Sequence, residues 1–167
     1  ILDLGTGGGF PGVPLKIMYP HLKVTLVDSL NKRINFLNRL CEMLNLTNIS
    51  AIHSRREELG QNEEYREKYD IAVSRAVAYL NTLSEYCIPF VKKDGYFISL
   101  KKDEFDEELE SSKNAIKILG AKTERVEKYN IDIEDISISH ALLFIKKHES
   151  TNKKYPRNSK QIKNNPL

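Results

Sequence analysis

Several features typical of metal, redox and membrane proteins are missing from this sequence. Only two cysteines occur, Cys41 and Cys87; both fall in helical patterns and form no metal-binding or redox spacing. The histidines are scattered, which argues against a metal site; they are His21, His53, His140 and His148. We therefore expect no bound metal, and we expect two buried free thiols in the reducing cytoplasm.

Long hydrophobic runs are also missing. No apolar segment approaches the length of a membrane span, and no signal peptide is visible. The chain does not begin with Met but on the strand of its main motif, so we expect that the domain has lost an N-terminal part. Its 167 residues, 40% of them hydrophobic, suffice for one globular domain with a sizeable core.

Charge is unevenly distributed along the chain. Residues 146–167 contain seven lysines or arginines and one acid, a local balance of +6. Because the whole chain carries +3, the first 145 residues sum to −3. This asymmetry predicts a domain over residues 1–148 and a basic C-terminal tail over residues 149–167 that binds an acidic partner. The tail is polar, and we expect it to be poorly ordered.

The glycine-rich segment at residues 1–12 is the strongest motif. An apolar pair leads to Asp3, then to four glycines within five positions, then to Pro11 and a helical pattern. This order predicts a strand, a tight turn and a helix. Glycines let a ligand lie directly against the main chain, and the amides that open the following helix would face that ligand. The segment therefore predicts a small-molecule site.

Three ligand motifs overlap in this segment. Gly7, Gly9 and Gly12 match the dinucleotide pattern G-x-G-x-x-G, which is weak evidence alone. The spacing from Gly7 to Gly12 suits a phosphate loop, but Val13 replaces the required lysine, which argues against a nucleotide triphosphatase. The third pattern, an acid followed by Gly5, Gly7 and Gly9, resembles the first motif of S-adenosylmethionine-dependent methyltransferases. A glycine-rich turn without a ligand is the remaining alternative.

Strands and helices alternate along the rest of the chain. Apolar spacing predicts strands at 23–28, 49–53, 69–74 and 95–101 and helices at 12–19, 30–44, 80–90 and 105–119. Two final strands, at 123–129 and 138–147, would form an antiparallel hairpin. The alternation predicts an α/β fold with a mainly parallel sheet closed by an antiparallel C-terminal strand. The terminal pair of strands without a helix between them resembles the S-adenosylmethionine-dependent methyltransferase variant of the Rossmann-like fold.

Polar residues follow the predicted parallel strands, where open sheets of this kind bind ligands. Asp28 ends the second strand, 23 residues after Gly5, which suits an acid that accepts hydrogen bonds from both ribose hydroxyls. Its alternative role is to cap the next helix, but Ser29 can provide that cap. Arg56 and Glu57 follow the third strand, although such charges are also common at a solvated helix start.

Three further cations are candidates for ligand or RNA contacts. Arg75 follows the fourth strand, where it could bind a ligand or pair with a surface acid. Lys32 and Arg33 open a predicted helix, where cations oppose the helix dipole. These two cations simply lie on a solvent-exposed helix face, unless an RNA phosphate binds at this helix start.

The residues after the fourth strand narrow the chemistry. They read Ser-Arg-Ala-Val at 74–77, whereas many amine methyltransferases have an Asn-Pro-Pro-Tyr or Asp-Pro-Pro-Tyr box there. Methyltransferases that act on carbon use a loop cysteine as the nucleophile, but both cysteines of this chain fall in predicted helices. A ring nitrogen with a free lone pair needs no base, because alignment with the methyl and the sulfonium sulfur is enough. The cofactor carries the reactive methyl and the protein holds the geometry.

Five segments together resemble one known family, the glucose-inhibited division protein B family of small-subunit ribosomal RNA methyltransferases G. They lie at 3–12, 28–37, 54–58, 74–78 and 154–167, in order over nearly the whole chain. The resemblance implies methylation of N7 of one guanine in 16S ribosomal RNA. It also implies cofactor contacts at Gly5, Phe10, Arg56, Glu57 and Arg75, with Asp28 and its neighbours near the ribose.

The chain departs from this family at three places. Arg56 stands where many relatives have a small residue, which suits a main-chain contact to adenine. The helical N-terminal segment of the family is absent, and residues 158–162 lack the expected glycines and prolines.

These observations lead to one hypothesis, a bacterial, cytoplasmic guanine-N7 methyltransferase that uses S-adenosyl-L-methionine on 16S ribosomal RNA or on the small ribosomal subunit. Its catalytic residue is Arg75. Its cofactor-binding residues are Gly5, Gly7, Gly9, Phe10, Asp28, Ser29, Arg56, Glu57 and Arg75, and its RNA-binding residues are Lys32, Arg33, Lys153, Lys154, Arg157, Lys160 and Lys163. One alternative is a non-catalytic module that keeps the cofactor and binds RNA or a partner. A small-molecule methyltransferase is the other, but small substrates need no basic arm to neutralise phosphates.

Overall fold

The chain folds around one mixed sheet. A computed structural model describes residues 1–75, 78–102, 105–134 and 136–167. Within these residues the strands are β1 (Leu2–Leu4), β2 (Val24–Asp28), β3 (Ile49–His53), β4 (Tyr69–Arg75), β5 (Val91–Lys102), β6 (Ala121–Ile133) and β7 (Ile136–Lys147). The helices are α1 (Gly12–Met18), α2 (Asn31–Met43), α3 (Arg56–Gln61), α4 (Leu80–Cys87), α5 (Asp106–Ile118) and α6 (Ser159–Asn164).

Strand order places a ligand site beside β1. The seven described strands lie in the order β3-β2-β1-β4-β5-β7-β6. β1 pairs in parallel with β2 on one side and with β4 on the other. The chain therefore adds β2 and β3 on one side of β1, and then crosses over to add β4 and β5 on the other side. In open parallel sheets, ligands bind at the carboxyl ends of the strands where this reversal occurs. β7 pairs antiparallel with both β5 and β6, which confirms the predicted fold class.

Two apolar clusters hold helices on opposite faces of the sheet. Successive strand residues point to opposite faces, so Leu26 and Val27 of β2 belong to different clusters. On one face, α1 and α2 contribute Val13 and Leu37 to the cluster around Leu26. The other cluster is larger and includes residues of α4 and α5. Burying each large apolar side chain contributes roughly 1.5–3 kcal/mol, which fixes the strand ends that carry the site.

Some elements differ from their predicted extents. The helix predicted at 80–90 is α4 followed by a 3-10 turn, Ile88–Phe90, because Pro89 has no amide hydrogen with which to continue an α-helix. The final hairpin is longer than predicted. Lys102 at the end of β5 pairs with His140, so the residues of β7 before His140 extend the hairpin beyond the carboxyl end of β5.

Several residues after His148 are buried against the domain, so the expectation of a poorly ordered tail is wrong. Tyr155 is 6% exposed, and Ile162 of α6 is fully buried. The guanidinium of Arg66 donates to the carbonyl oxygens of Tyr155 at 2.6 Å and Thr151 at 2.7 Å. These bonds fasten the tail to the segment between α3 and β4.

A buried ion pair provides a second attachment of the tail. Glu85 of α4 has no exposed surface, and its carboxylate accepts hydrogen bonds from Nε of Arg157 at 2.9 Å and from Nη2 at 2.7 Å. The backbone amide of Arg157 also donates to this carboxylate, at 2.8 Å. Bidentate arginine–carboxylate pairs are among the strongest charge-assisted contacts.

The two cysteines differ in environment. Both are free; Cys87 is buried, as expected, whereas Cys41 is partly exposed. Burial raises the pKa of the Cys87 thiol, which keeps it protonated and unreactive. Within the described ranges no helix is long and apolar enough to cross a membrane, and no group of three or more His, Cys, Asp or Glu could hold a metal ion.

Candidate functional site

A glycine turn connects β1 to α1 at the carboxyl edge of the sheet. The amides of Gly5 and Thr6 both donate to the carbonyl of Val27, at 2.8 and 3.1 Å, so the turn folds over the end of β2. Gly5, Gly7 and Gly9 have φ values of +74°, +61° and +97°, in the region that side chains disfavour. The predicted strand–turn–helix is therefore confirmed.

Two glycines of the turn have different reasons to lack a side chain. A Cβ on Gly9 would lie 2.7 Å from Val13 and 2.9 Å from Leu37, so this glycine allows α1 and α2 to pack against the turn. A Cβ on Gly7 would meet no protein atom within 4 Å among the described residues. Gly7 thus faces open space at the carboxyl edge, which suits close approach of a ligand.

Asp3 is a site residue that sequence reasoning treated only as part of a motif. It is fully buried, and its Oδ2 accepts hydrogen bonds from the Thr6 hydroxyl at 2.6 Å and the Gly12 amide at 2.8 Å. Its Oδ1 has no hydrogen-bond partner in the described part of the chain. Burial raises the pKa of this carboxyl, and the bonds from Thr6 and Gly12 oppose that shift. A buried acceptor without a partner is costly unless a ligand uses it.

Asp28 organises the turn next to it. The carboxylate is 3% exposed; its Oδ2 accepts from the Gly7 amide at 3.0 Å and its Oδ1 from the Leu30 amide at 2.9 Å. Ser29 does not cap α2, contrary to expectation, because the helix begins at Asn31 and Leu30 occupies the N-cap position. Arg33 also bonds Asp28, at 3.1 Å, so this predicted RNA ligand points toward the site.

A cavity of about 410 Å³ lies beyond Asp28, between α2, α3, α4 and α6. Ser29 and Leu30 line one side of it, and Arg56 and Glu57 line another. The guanidinium of Arg56 lies over the Tyr86 ring, 5.3 Å from its centroid. The tail completes the wall, because the Ser159 hydroxyl donates to the carboxylate of Glu57. Sequence reasoning missed Tyr86, which belongs to no motif, and Ser159, which lies in the stretch where the chain departs from the family.

Arg75 lies at the end of β4, on the other side of β1. Its side chain is exposed, and its guanidinium carbon is 5.5 Å from the ring centroid of Phe10, which is itself 51% exposed. The positive charge of Arg75 is close enough to Asp3 to oppose the upward shift of the Asp3 pKa. The turn, Asp28, the α3 residues and Arg75 therefore meet at one edge of the sheet, as predicted.

The predicted RNA-binding residues do not form one group. Lys32, Lys153, Lys154, Lys160 and Lys163 are all exposed. Lys153 lies 3.7 Å from Glu63, but both side chains are about 90% exposed (90% and 87%), and such pairs contribute little. Arg157 differs from these lysines because its guanidinium forms an ion pair with buried Glu85. It is therefore a structural contact of the tail and not an exposed cation like the lysines.

The fold and the site together define a class of protein. M. jannaschii TYW2, whose structure was solved in complex with AdoMet, has the same fold; its TM-score is 0.67 at 15% identity, over 87% of this chain and 68% of that one. The acid and glycine turn at the strand reversal agree with that class. The fold is that of S-adenosylmethionine-dependent methyltransferases.

Sequence comparison is more specific. The family model for rRNA small subunit methyltransferase G matches residues 1–137. A relative from Clostridium botulinum (strain ATCC 19397 / Type A), named Ribosomal RNA small subunit methyltransferase G, is 52% identical over 167 residues, 100% of this chain and 69% of that protein. A relative of the same name from Acetivibrio thermocellus is 51% identical, over 100% of this chain and 68% of its own length. The chain belongs to the rRNA small subunit methyltransferase G family.

Membership establishes a methyltransferase whose cofactor is S-adenosylmethionine, and the site fits this group. The Oδ1 of Asp3, which has no partner among the described residues, can accept from an ammonium, and the open space at Gly7 leaves room beside the main chain. Asp28 lies 23 residues after Gly5, which is the sequence separation expected of an acid that binds the ribose.

Replacing Asp28 by alanine tests the ribose contact. We expect the affinity for S-adenosylhomocysteine to fall by about 2 kcal/mol, since hydrogen bonds to a charged acceptor are strong. The variant also loses the bonds to Gly7 and Leu30, so calorimetry should be repeated with the 2′,3′-dideoxy analogue. If Asp28 binds the ribose, the mutation weakens binding of the analogue much less than binding of the parent compound. Equal losses for both compounds would assign Asp28 to the turn alone.

Proposed function

We propose that the protein methylates N7 of a guanine in 16S ribosomal RNA, in the cytoplasm of a bacterium. The observation that carries the proposal is the match of the whole chain to relatives named Ribosomal RNA small subunit methyltransferase G, at 52% identity. The chemistry around the site supports it. The chain has no Asn-Pro-Pro-Tyr or Asp-Pro-Pro-Tyr box, the thiol of Cys87 is buried, and Cys41 lies within α2 and not in a loop, so a ring nitrogen is the acceptor that this site suits best.

Each part of the cofactor has candidate ligands. When bound, S-adenosylmethionine supplies a methyl group activated by a positively charged sulfur. Asp3 would accept from the ammonium, and Asp28 with Ser29 would hold the ribose. The main chain of Gly5, Gly7 and Gly9 would lie against the cofactor, with the Phe10 ring beside it. Arg56 and Glu57, in the cavity closed by Ser159, would contact the adenine.

Arg75 is the proposed catalytic residue, and its charge limits what it can do. Methylation at N7 leaves a positive charge on the guanine, so an arginine cannot be present to stabilise the product ring. Arg75 can hold a phosphate, the guanine O6 or the cofactor carboxylate, and so orient the reactants. Its exposure and its contact with the Phe10 ring allow it to reach a substrate above β1.

The tail has two proposed roles. We keep the division into a methyltransferase domain, residues 1–148, and a basic tail, residues 149–167. Lys32 and the four exposed tail lysines can neutralise RNA phosphates without touching the reacting atoms. Ser159 and Arg157 attach the tail to the domain and complete its cavity. Deleting the tail would uncover the apolar surface against which Tyr155 and Ile162 pack, so point substitutions are the appropriate test.

A labelling experiment tests the proposed reaction. The protein is incubated with cofactor carrying a labelled methyl group, together with either deproteinised 16S ribosomal RNA or small ribosomal subunits that lack this modification. We expect label at N7 of one guanine, detected by reduction and strand cleavage at the modified base. If protein that binds cofactor transfers no label to either substrate, the non-catalytic alternative is correct.

Replacing Lys153, Lys154, Lys160 and Lys163 by glutamine tests the role of the tail in RNA binding. We expect RNA affinity to fall, and the slope of log K against log salt should flatten by roughly 0.7–0.9 for each phosphate that is no longer neutralised. The matched control replaces Lys23, Lys68, Lys92 and Lys93, which are exposed near the amino ends of β2, β4 and β5. An equal change of slope in both variants would show only a general charge effect.

A further inference from the structure

A groove between α4 and α6 opens beside the proposed cofactor cavity. Its volume is about 610 Å³, within the range of small-molecule sites. We call it the α4–α6 groove; its lining includes Arg56, Tyr79, Thr82, Tyr86, Ser159 and Lys163. Arg56, Tyr86 and Ser159 also line the cavity next to Asp28, so the two spaces are neighbours.

Tyr79 is held as an aromatic platform at the mouth of this groove. The carbonyl of Ala78 accepts a hydrogen bond from Lys101 at 3.1 Å, and the amide of Leu80 donates to Glu108. Lys101 and Glu108 pair with each other at 2.6 Å, so the backbone is fixed on both sides of Tyr79. The Tyr79 residue itself is 75% exposed. A large aromatic residue on a fixed backbone presents its ring to a ligand rather than to the core.

The opposite wall is equally well fixed, and it is basic. Ile162 anchors α6 in the core, Ser159 bonds Glu57, and the Asn81 amide donates to the carbonyl of Leu167 at 3.3 Å. Lys163 lies in the last turn of α6, exposed and on the groove. The groove thus combines an exposed aromatic ring with the cations Lys163 and Arg56. Single-stranded nucleic acid is bound by this combination, in which bases stack on aromatic rings and cations follow the phosphates.

We infer that the α4–α6 groove receives the target nucleotide of the RNA, turned out of its stack, with the base on the Tyr79 ring and its phosphate at Lys163. An enzyme that acts on a base inside structured RNA has to expose that base, which a stacking partner makes less costly. The groove shares Arg56, Tyr86 and Ser159 with the proposed cofactor cavity, so a base held there lies beside the cofactor site. The inference rests on the proposed function, since it assigns the substrate side of that site.

A fluorescence experiment tests the stacking contact without any methyl transfer. The chain has no tryptophan, so Tyr79→Trp introduces a single reporter. A hexaribonucleotide with one central guanine among uridines is titrated into this variant in the presence of S-adenosylhomocysteine. We expect saturable quenching, which weakens when Lys163→Gln is added. Tyr19→Trp, at the C-terminal end of α1, is the control and should show no saturable quenching. The inference is overturned if the Tyr79→Trp signal does not saturate or matches the control.

Steady-state methyl transfer to ribosomal RNA provides the second measurement. We expect Tyr79→Ala to lower kcat/KM at least about tenfold, the loss typical of a stacking aromatic, while Tyr79→Phe stays near the parent protein. Calorimetry with S-adenosylhomocysteine should be unchanged in both. Full activity of Tyr79→Ala, or equal losses in the two variants, contradicts the stacking role. If the Tyr79→Trp protein shows saturable quenching but the parent protein transfers no methyl group, nucleotide binding in the groove is supported and the proposed reaction is overturned.

Discussion

Replacing Arg75 by alanine should lower the rate of methyl transfer at least about 100-fold, the loss that a small misplacement of reactants can cause. RNA affinity should fall much less, because an orienting contact matters more in the transition state than in the ground state. The physical reason lies in the position of Arg75, exposed at the end of β4 and beside the Phe10 ring. Single-turnover transfer at saturating RNA, measured beside equilibrium RNA binding, separates the two effects.

Two further variants sharpen the test of Arg75. Arg75→Lys keeps the charge but not the planar fork of donors, so it should recover RNA affinity more than rate. Arg39→Ala removes an exposed arginine of α2 and should change neither quantity. Equal losses of rate and binding in Arg75→Ala would show that the residue only binds RNA.

Of the substitutions proposed for this protein, one that breaks the Glu85–Arg157 pair should cause the largest loss of stability. Arg157→Gln leaves the fully buried carboxylate of Glu85 without its cation, and removing one partner of a buried pair costs about 3–5 kcal/mol. This is a large fraction of the stability of an ordinary domain, about 5–15 kcal/mol. Urea unfolding measures the free energy, and limited proteolysis reports release of the tail.

The matched control for this pair is the exposed contact between Glu63 and Lys153. Glu63→Gln should change the free energy of unfolding by less than about 1 kcal/mol, since both side chains face solvent. The double variant Glu85→Gln/Arg157→Gln should be more stable than the sum of the single losses predicts, because neither charge is left unpaired. Additive losses, or a small effect of Arg157→Gln, would contradict an energetic coupling across this contact.

Local patterns in the sequence predicted most of the fold and one side of the site. The strands, the turn at Gly5–Gly9 and the acid at Asp28 depend on residues close together in the chain, whose spacing is visible without a structure. The prediction that Ser29 caps α2 was wrong because the helix begins at Asn31, which places Leu30 and not Ser29 at the N-cap position. The Leu30 amide bonds to Asp28, whose carboxylate also holds the turn at Gly7.

Long-range contacts account for the features that the sequence did not reveal. A polar, lysine-rich tail has the composition of a disordered segment, yet partly buried Arg66 bonds to its backbone and fully buried Glu85 binds Arg157. Asp3 was visible as a motif residue, but whether its Oδ1 has a partner depends on how the turn packs, and none of the residues that the structure describes bonds to it. Tyr79 lies in no motif, and its proposed role depends on the groove that the distant helix α6 forms beside it.

The attachment of the tail also has a consequence for how the chain reaches this structure. Arg157 lies 72 positions after Glu85 in the chain, Tyr155 lies 89 positions after Arg66, and Ser159 lies 102 positions after Glu57. Leu59 of α3 and Leu83 of α4 belong to the apolar cluster on the sheet, so the partners on these two helices are in position for the tail only once the helices have packed. The sheet should therefore assemble first and the tail should dock last, which means that the cavity beside Glu57 acquires its final wall only in the closing step of folding.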